Sequence, residues 1–473
     1  MSEPADVLEV DPGAPRRDSL RAPAWTGPVA GLVAAATALA AGLVVAAIID
    51  VDSPLNAVGS EFIDHTPHWL KTLAISAFGT NDKTALRAGM LVVIGLLSLV
   101  VGAVARLRPL VGWVSFAMFS VLGAVIAVGR PGQGASAAIP AVIAGAVGGV
   151  VLWGLLRVVR AGDGPAETPG SSRAPSGWDR RRFVTTTAGA AGVAVVTAGV
   201  ARSFERRRLT DLADAAPSTL PPLDTTAGTP GLSDVSSAAP PIPPTATVSP
   251  VTPFITPNDD FYLIDTALSV PRINVGRWSV QIGGMVDRPL TLTYQDLLDR
   301  PQVERVVTIS CVSNEIGGDL VGNAVWQGVL LADVLTEAGV QSGVEQVFST
   351  SVDGWTCGFP IEAALDGRDA LIAVGMNGEP LPLRHGFPAR LIIPGLYGYV
   401  SATKWLEKIE LTTWDAAEGY WVPRGWSREA PIKTQSRIDV PARGEKLKAG
   451  TVAVAGIAWA PRRKISKVEL RID

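Results

Sequence analysis

The sequence predicts an α-helical membrane bundle followed by an α+β domain and the start of an all-β domain. Three observations predict it. Five apolar runs of membrane-spanning length crowd the first 200 residues. A proline-rich stretch then separates them from the remainder. Beyond Asn258 short strand-like and helical runs mix without a βαβ repeat, the pattern of an α+β fold.

The bulk properties bound the reading. The chain has 473 residues, enough for two to four domains. Only 18% are charged and the mean hydropathy is +0.29, too apolar for a wholly soluble protein of this size. A net charge of −3 gives no sign of a nucleic-acid binder. Cys311 and Cys357 are the two cysteines, and His65, His68 and His385 the three histidines. That excludes zinc sites of three or four cysteines and iron–sulfur clusters held by four. A site of two cysteines and two histidines is allowed by count, but His65 and His68 lie far from both cysteines in the chain.

The apolar runs are Pro28–Ile49, Ala88–Ala105, Leu110–Val128, Ala137–Leu156 and Phe183–Ala201. Each approaches the roughly 20 residues needed to cross a bilayer. Arg16, Arg17 and Arg21 precede the first; Arg106 and Arg108 follow the second. Arg157 and Arg160 follow the fourth, and Arg180, Arg181 and Arg182 precede the fifth. All become cytoplasmic if the N-terminus is inside. The loop Asp50–Arg87, with Asp50, Asp52, Glu61 and Asp64, is then outside, as is everything after Ala201. Arg202, Arg206, Arg207 and Arg208 break this rule. "RRRFV" at Arg180–Val184 resembles a twin-arginine export signal, for folded cargo; a plain positive anchor is the alternative. The spans hold no histidine and no carboxylate, which excludes a bis-histidine haem and argues against a coupled transporter.

These boundaries divide the chain into a cytoplasmic tail (1–27), a membrane region (28–201), a linker (202–257), a globular domain (258–425) and a terminal β segment (426–473). Within the linker, "PPIPPTATVSPVTP" at Pro240–Pro253 is expected to be an extended spacer. In the globular domain, Arg277–Val286 alternates like a half-buried strand. Leu292–Arg300 has a Thr cap and helical spacing. Glu304–Ser310 is a β-branched strand running into Cys311. Gly328–Val340 reads as an amphipathic helix ended by Gly339, and Glu345–Trp355 as strand and turn. Ala389–Leu411 gives a buried strand, a glycine-rich loop and another strand. Near the end, "TVAVAGIAWA" and "KISKVELRID" read as strands. A sandwich needs about seven, so the β segment is expected to be a fragment.

Several separated elements occur in order: "PNDDFY" (Pro257–Tyr262), "SCVSN" (Ser310–Asn314), "VWQGVLLADVL" (Val325–Leu335), "SVDGW" (Ser351–Trp355), "MNGEPLP" (Met376–Pro382), "RHGFPARLIIPGLYG" (Arg384–Gly398) and "ATKWL" (Ala402–Leu406). Together they resemble the sulfite oxidase family of molybdopterin enzymes over about Thr256–Asp473. The resemblance implies a sulfite-oxidase-type molybdopterin domain and a molybdenum–molybdopterin cofactor. It also implies an Ig-like β-sandwich, incomplete here, through which two copies would form a homodimer.

By that resemblance Cys311 is the protein ligand to molybdenum. A thiolate is a soft donor, and metal binding removes its proton. Read alone, Cys311 is an ordinary buried cysteine; a disulfide with Cys357 is a third reading, suited to an oxidising compartment. The cofactor's phosphate needs positive charge and N–H donors, for which His385 and Arg390 match cofactor-touching positions. Ser401, Ala402, Thr403 and Lys404 lie in a loop able to present backbone N–H groups. A satisfied loop histidine and solvated surface cations are the bland alternatives. Asp259, Tyr262 and Leu263 match the first cofactor-contacting segment of the periplasmic sulfoxide reductase branch, with Asp259 in place of Asn. Ser351 stands where that branch has Thr. Asn314, Asp353 and Trp355 are candidate walls of the substrate pocket, or simply turn and core; we count Asn314 and Asp353 with Cys311 as the catalytic candidates.

Departures bear on substrate. Val374 stands where sulfite oxidases carry an active-site tyrosine. Glu315 and Ile316 replace an arginine, and Ile264, Asp265 and Thr266 replace an Arg-Asn-His. Sulfite, a dianion, wants those cations. The sulfoxide reductase branch has Glu where Ser313 stands. The expected protein is a membrane-anchored oxidoreductase on a bacterial cell membrane, crossing it several times with its catalytic domain extracytoplasmic. It would transfer an oxygen atom to or from a small molecule and, lacking a haem motif, exchange electrons with another protein or a diffusible carrier. The alternative is a catalytically inactive binding module presenting a surface to membrane partners.

Overall fold

The computed structural model describes residues 22–67, 69, 70, 73, 77, 78, 81–160, 179–214, 217, 219–223, 248 and 250–472. His68, the arginines before residue 22 and most of the Pro240–Pro253 spacer lie outside them. The chain divides into two compact units, the first running mainly to Arg206 and the second from Arg207 onward.

In the first unit, α1 (Thr26–Ile49), α3 (Asp82–Leu107), α4 (Pro109–Gly129), α5 (Ile139–Arg160, extended by a 3₁₀ turn from Ala135) and α6 (Arg180–Asp214) are long and apolar enough to cross a membrane; α2 (Pro54–His65) is shorter. All five expected segments fall within them. Small residues let the helices close: Gly31 of α1 abuts Ser98 and Gly102 of α3, leaving no room for a side chain. The two ends differ in charge. Arg106 of α3 donates from Nη1 to Pro23 O (2.6 Å) and from Nη2 to Ala22 O (2.5 Å) before α1. Arg160 Nη2 donates to Ala105 O (2.7 Å), and Trp25 meets Phe183 of α6 edge to face. Beyond the other end of α4, Arg130 pairs with Asp64 (2.5 Å) and Glu61 (3.6 Å) of α2.

The second unit is built on two five-stranded sheets. The first has the order β2 (Leu290–Thr293), β1 (Ser279–Gly284), β10 (Leu406–Thr412), β5 (Gln346–Ser351), β6 (Thr356–Pro360), antiparallel except for β1 against β10. The second runs β3 (Val303–Ser310), β4 (Val321–Leu330), β7 (Leu371–Met376), β8 (Glu379–Pro380), with β9 (Arg390–Ile392) also on β7. The fully buried Trp326, Leu331, Leu335, Phe359, Leu371, Ile372 and Met376 form the centre of its core. Thr293 caps α7 (Tyr294–Leu298) in a capping box with Asp296, as the Thr-Tyr-Gln-Asp order suggests.

Three expectations change. The helix expected over Gly328–Val340 is only α8 (Leu331–Ala338), because β4 continues through Leu330. Gly328 lies against the backbone of Ile372 and Ala373 in β7, an approach only a glycine strand residue allows; Gly339 (φ +75°) still ends the helix. Of the linker, the described residues near 220 and 256 lie on the domain, while most of the Pro240–Pro253 spacer falls outside the described residues. Leu220 packs on the core, Gln327 Nε2 donates to Pro221 O (2.8 Å), and Thr256 N–H to Asn323 O (2.7 Å). Beyond Trp426 the described strands are one antiparallel pair, β11 (Gln435–Val440) and β12 (Ala455–Trp459), so an Ig-like sandwich is not formed by them. The run from Lys464 is exposed and finds no partner strand.

Candidate active site

The sequence "VTISCVSNEIGG" places a thiol where a strand gives way to a turn. Cys311 directly follows β3, is free and only partly exposed. The turn it opens closes on itself. Cys311 N–H donates to Leu320 O (2.9 Å), Asn314 N–H to Cys311 O (3.1 Å) and Leu320 N–H to Asn314 Oδ1 (2.9 Å). Asn314 Nδ2 is buried without a hydrogen-bond partner. Burial raises the Cys311 thiol above its ordinary pKa, against Ser313 contacts that favour the thiolate.

A second group of expected site residues lies on β9 and the preceding turn. Arg390 is 5% exposed. Its Nη1 donates to His385 O (2.8 Å), its guanidinium lies 4.9 Å from the centre of the Trp326 ring, and its Nε has no partner. Burial lowers its pKa to about 10, so it stays charged at neutral pH. The Tyr262 phenol is held protonated, mainly by burial and then by Cys311, with Arg390 opposing; Tyr262 therefore sits within the fields of both. His385 Nε2 donates to Asn258 O (2.8 Å), and its ring meets Phe261 edge to face at 5.7 Å. Burial first, and then Arg390, bring its pKa down to about 4, so it is neutral at pH 7.

A third group lies around α10 (Gly398–Ser401). Lys404 Nζ is 2.5 Å from Asp265 Oδ2 and 3.3 Å from Arg384 O. Its charge is thus met within the protein. Ser401 Oγ donates to Leu396 O (3.2 Å) and Tyr397 O (3.0 Å), and Ala402 N–H to Gly398 O (3.1 Å). Thr403 Oγ1 turns to Ser349 Oγ (2.7 Å) and Cys357 Sγ (3.1 Å). Cys357 is buried, free, and raised to about 11 by that burial. The disulfide reading is therefore wrong: both thiols are free. The solvated-cation reading fails as well, since Arg390 and Lys404 are buried.

Asp353 N-caps its own turn, accepting from Trp355 N–H (3.2 Å), and burial raises its pKa. The Ser351 hydroxyl neighbours that carboxyl and opposes the rise, without completing a hydrogen bond of good geometry. Asp259 is exposed, Leu263 is half-buried, and Val374 is fully buried in the middle of β7. Sequence reasoning missed the partners: Asp265 for Lys404, Asn258 for His385, and Trp326 beneath Arg390. A signal was present for the last, in the tryptophan of "VWQGVLL".

Residues 267–421 match the model of the oxidoreductase molybdopterin binding domain. The chain is 37% identical over 150 residues to the uncharacterized oxidoreductase YuiH of Bacillus subtilis, an overlap of 32% of this chain and 72% of that protein. The chain belongs to the sulfite oxidase family of molybdopterin oxidoreductases. Human mitochondrial sulfite oxidase is 28% identical over 262 residues, 46% of this chain and 48% of that one. The chain spans about half the length of the mitochondrial sulfite oxidases it matches. The sulfane dehydrogenase SoxCD of Paracoccus pantotrophus overlays with a TM-score of 0.38 at 24% identity, over 45% of this chain and 63% of that one, too low a score to carry weight.

Membership makes this a molybdopterin-dependent oxidoreductase with a molybdenum–molybdopterin cofactor. The residues fit that group. A buried guanidinium without a carboxylate partner, with an unbonded Nε, suits an anionic ligand. The unbonded Asn314 Nδ2 and the partly exposed thiol supply a donor and a soft ligand on the Cys311 side.

Proposed function

We propose that the chain is a membrane-anchored, extracytoplasmic oxidoreductase in which Cys311 binds the cofactor's molybdenum and Arg390 neutralises its phosphate tail. The observation that carries this reading is the free, partly exposed Cys311 thiol at the end of β3, beside buried Arg390, which has no carboxylate partner among the described residues and whose Nε is unbonded. When bound, the cofactor supplies two-electron redox with oxygen-atom transfer. The chain's own residues ligate, orient and set charge. Cys311 is a neutral thiol before loading, so it gives up its proton when it takes the metal. His385 remains neutral and orients the Asn258 segment rather than adding positive charge. Ser401 and Thr403 serve the loop's geometry, leaving backbone groups there to face the pterin. Asn314 and Asp353 border the substrate's approach.

The membrane reading rests on the charge difference between the two ends of the first unit. The end with Arg106 and Arg160 is taken as cytoplasmic, and the end with Glu61 and Asp64 as outside. Since Phe183 joins the arginine end through Trp25, the residues following α6 are read as extracytoplasmic, exported through the Arg180–Val184 motif. Asp265 neutralises Lys404 where sulfite oxidases are expected to hold cations, so a substrate less charged than sulfite is favoured. The electron partner is a separate protein or carrier.

The test is molybdenum and pterin analysis with turnover for the wild type and Cys311→Ser. We expect a loaded wild type and a variant without turnover; full turnover in the variant contradicts ligation by Cys311. A wild type free of molybdenum after expression with ample molybdate would favour the inactive binding module.

A further inference from the structure

The turn that carries Cys311 is weakly packed on its outer side. Glu315, Ile316, Gly317 and Asp319 are exposed, Ile316 completely. Beyond its own hydrogen bonds, one side chain from far along the sequence, among the described residues, bonds to the turn there. Arg437 of β11 donates from Nη1 to Gly318 O. The same guanidinium donates from Nη2 to Thr252 Oγ1 (2.8 Å) and from Nε to Asp439 Oδ1 (2.8 Å). Asp439 Oδ2 accepts from Thr252 N–H (2.9 Å), closing the ring. Arg437 and Asp439 are two apart on a strand and so share a face. Their side chains are 12% and 10% exposed. The Thr252 donors and Arg437 hold the Asp439 carboxyl below its ordinary pKa despite burial, which opposes them.

We propose that Arg437, oriented by Asp439, is a positioning residue for the Cys311 turn, so that the β11–β12 hairpin is a working part of the active site. The fork of a guanidinium can satisfy three acceptors in one plane, which a lysine ammonium on a flexible stem does not reproduce. The role assigned to the metal rests on the reading above; the clamp itself does not.

The experiment uses the full chain in detergent, with Arg437→Gln, Arg437→Lys and Asp439→Asn beside the wild type. Hydrogen exchange is followed by mass spectrometry in cofactor-free protein, and the electron paramagnetic resonance signal of the one-electron-reduced metal in loaded protein. We expect exchange within 311–320 to quicken about tenfold in Arg437→Gln, with peptides of β1 and β10 unchanged. Arg437→Lys should fall between it and wild type, and the resonance signal should shift in the same order. Unchanged exchange at 311–320, or equal quickening throughout the domain, overturns the proposal. So does an unmoved resonance signal in a variant whose turn has loosened. Should Cys311→Ser keep full turnover and an unchanged sulfur count at the metal while Arg437→Gln frees the turn, the clamp stands and metal ligation by Cys311 falls.

Discussion

Lys404 Nζ and Asp265 Oδ2 lie 2.5 Å apart, with side chains only 9% and 16% exposed. Removing one partner of such a pair leaves a buried, uncompensated charge. Asp265→Leu should therefore destabilise the second unit by about 3 kcal/mol. Asp265→Leu combined with Lys404→Met should recover most of that loss. Thermal unfolding of the two variants checks this; equal losses in both would show that the pair is not coupled.

This pair also marks where the sequence stops being legible. The β-branched run into Cys311, the His385–Arg390 stretch and the capped α7 could be read locally, because each depends on neighbours in the chain. Asp265 and Lys404 are 139 residues apart, and Arg437 and Gly318 are 119 apart, so only tertiary folding brings them together. The start of α8 was set too early for the same reason. Gly328 resembles a helix-opening glycine until β7 is seen against its backbone. Ser401 and Thr403 lie in a loop read in sequence as presenting backbone N–H groups, and their hydroxyls find partners inside the loop or the core.

His385 gives the site a pH dependence. Its pKa is about 4 in the folded state and about 6.5 in an unfolded chain. Above pH 6.5 both states are neutral at this residue, and its contribution to stability is intact. As pH falls toward 4 the unfolded state takes up the proton first, so stability is lost, by up to roughly 3 kcal/mol. The difference between wild type and His385→Gln, followed by unfolding between pH 7 and pH 4, isolates this residue. A constant difference would contradict its assignment as buried and neutral.

On the proposed reading, Arg390 carries the charge that the cofactor's tail requires. Arg390→Met should fold, since it removes a buried charge lacking a carboxylate partner, yet retain little pterin. Arg390→Lys should lower pterin retention by about tenfold, because an ammonium lacks the planar fork of parallel donors. Pterin fluorescence after acid release, normalised to protein, measures both. Full pterin content in Arg390→Met would move the phosphate site elsewhere.

Gly322 faces the Phe261 ring too closely to admit a Cβ. Gly322→Ala should displace Phe261 from His385 and Trp326, at a cost of about 1–3 kcal/mol. A shift in the Trp326 fluorescence environment, with a lowered melting temperature, is the expected reading.

The most direct measurement is molybdenum K-edge X-ray absorption on wild type beside Cys311→Ser, each reconstituted with cofactor. One sulfur neighbour fewer in the variant is the expected result. An identical sulfur count in both would mean that the metal takes no ligand from this chain at Cys311, and the assignment of the site would be wrong.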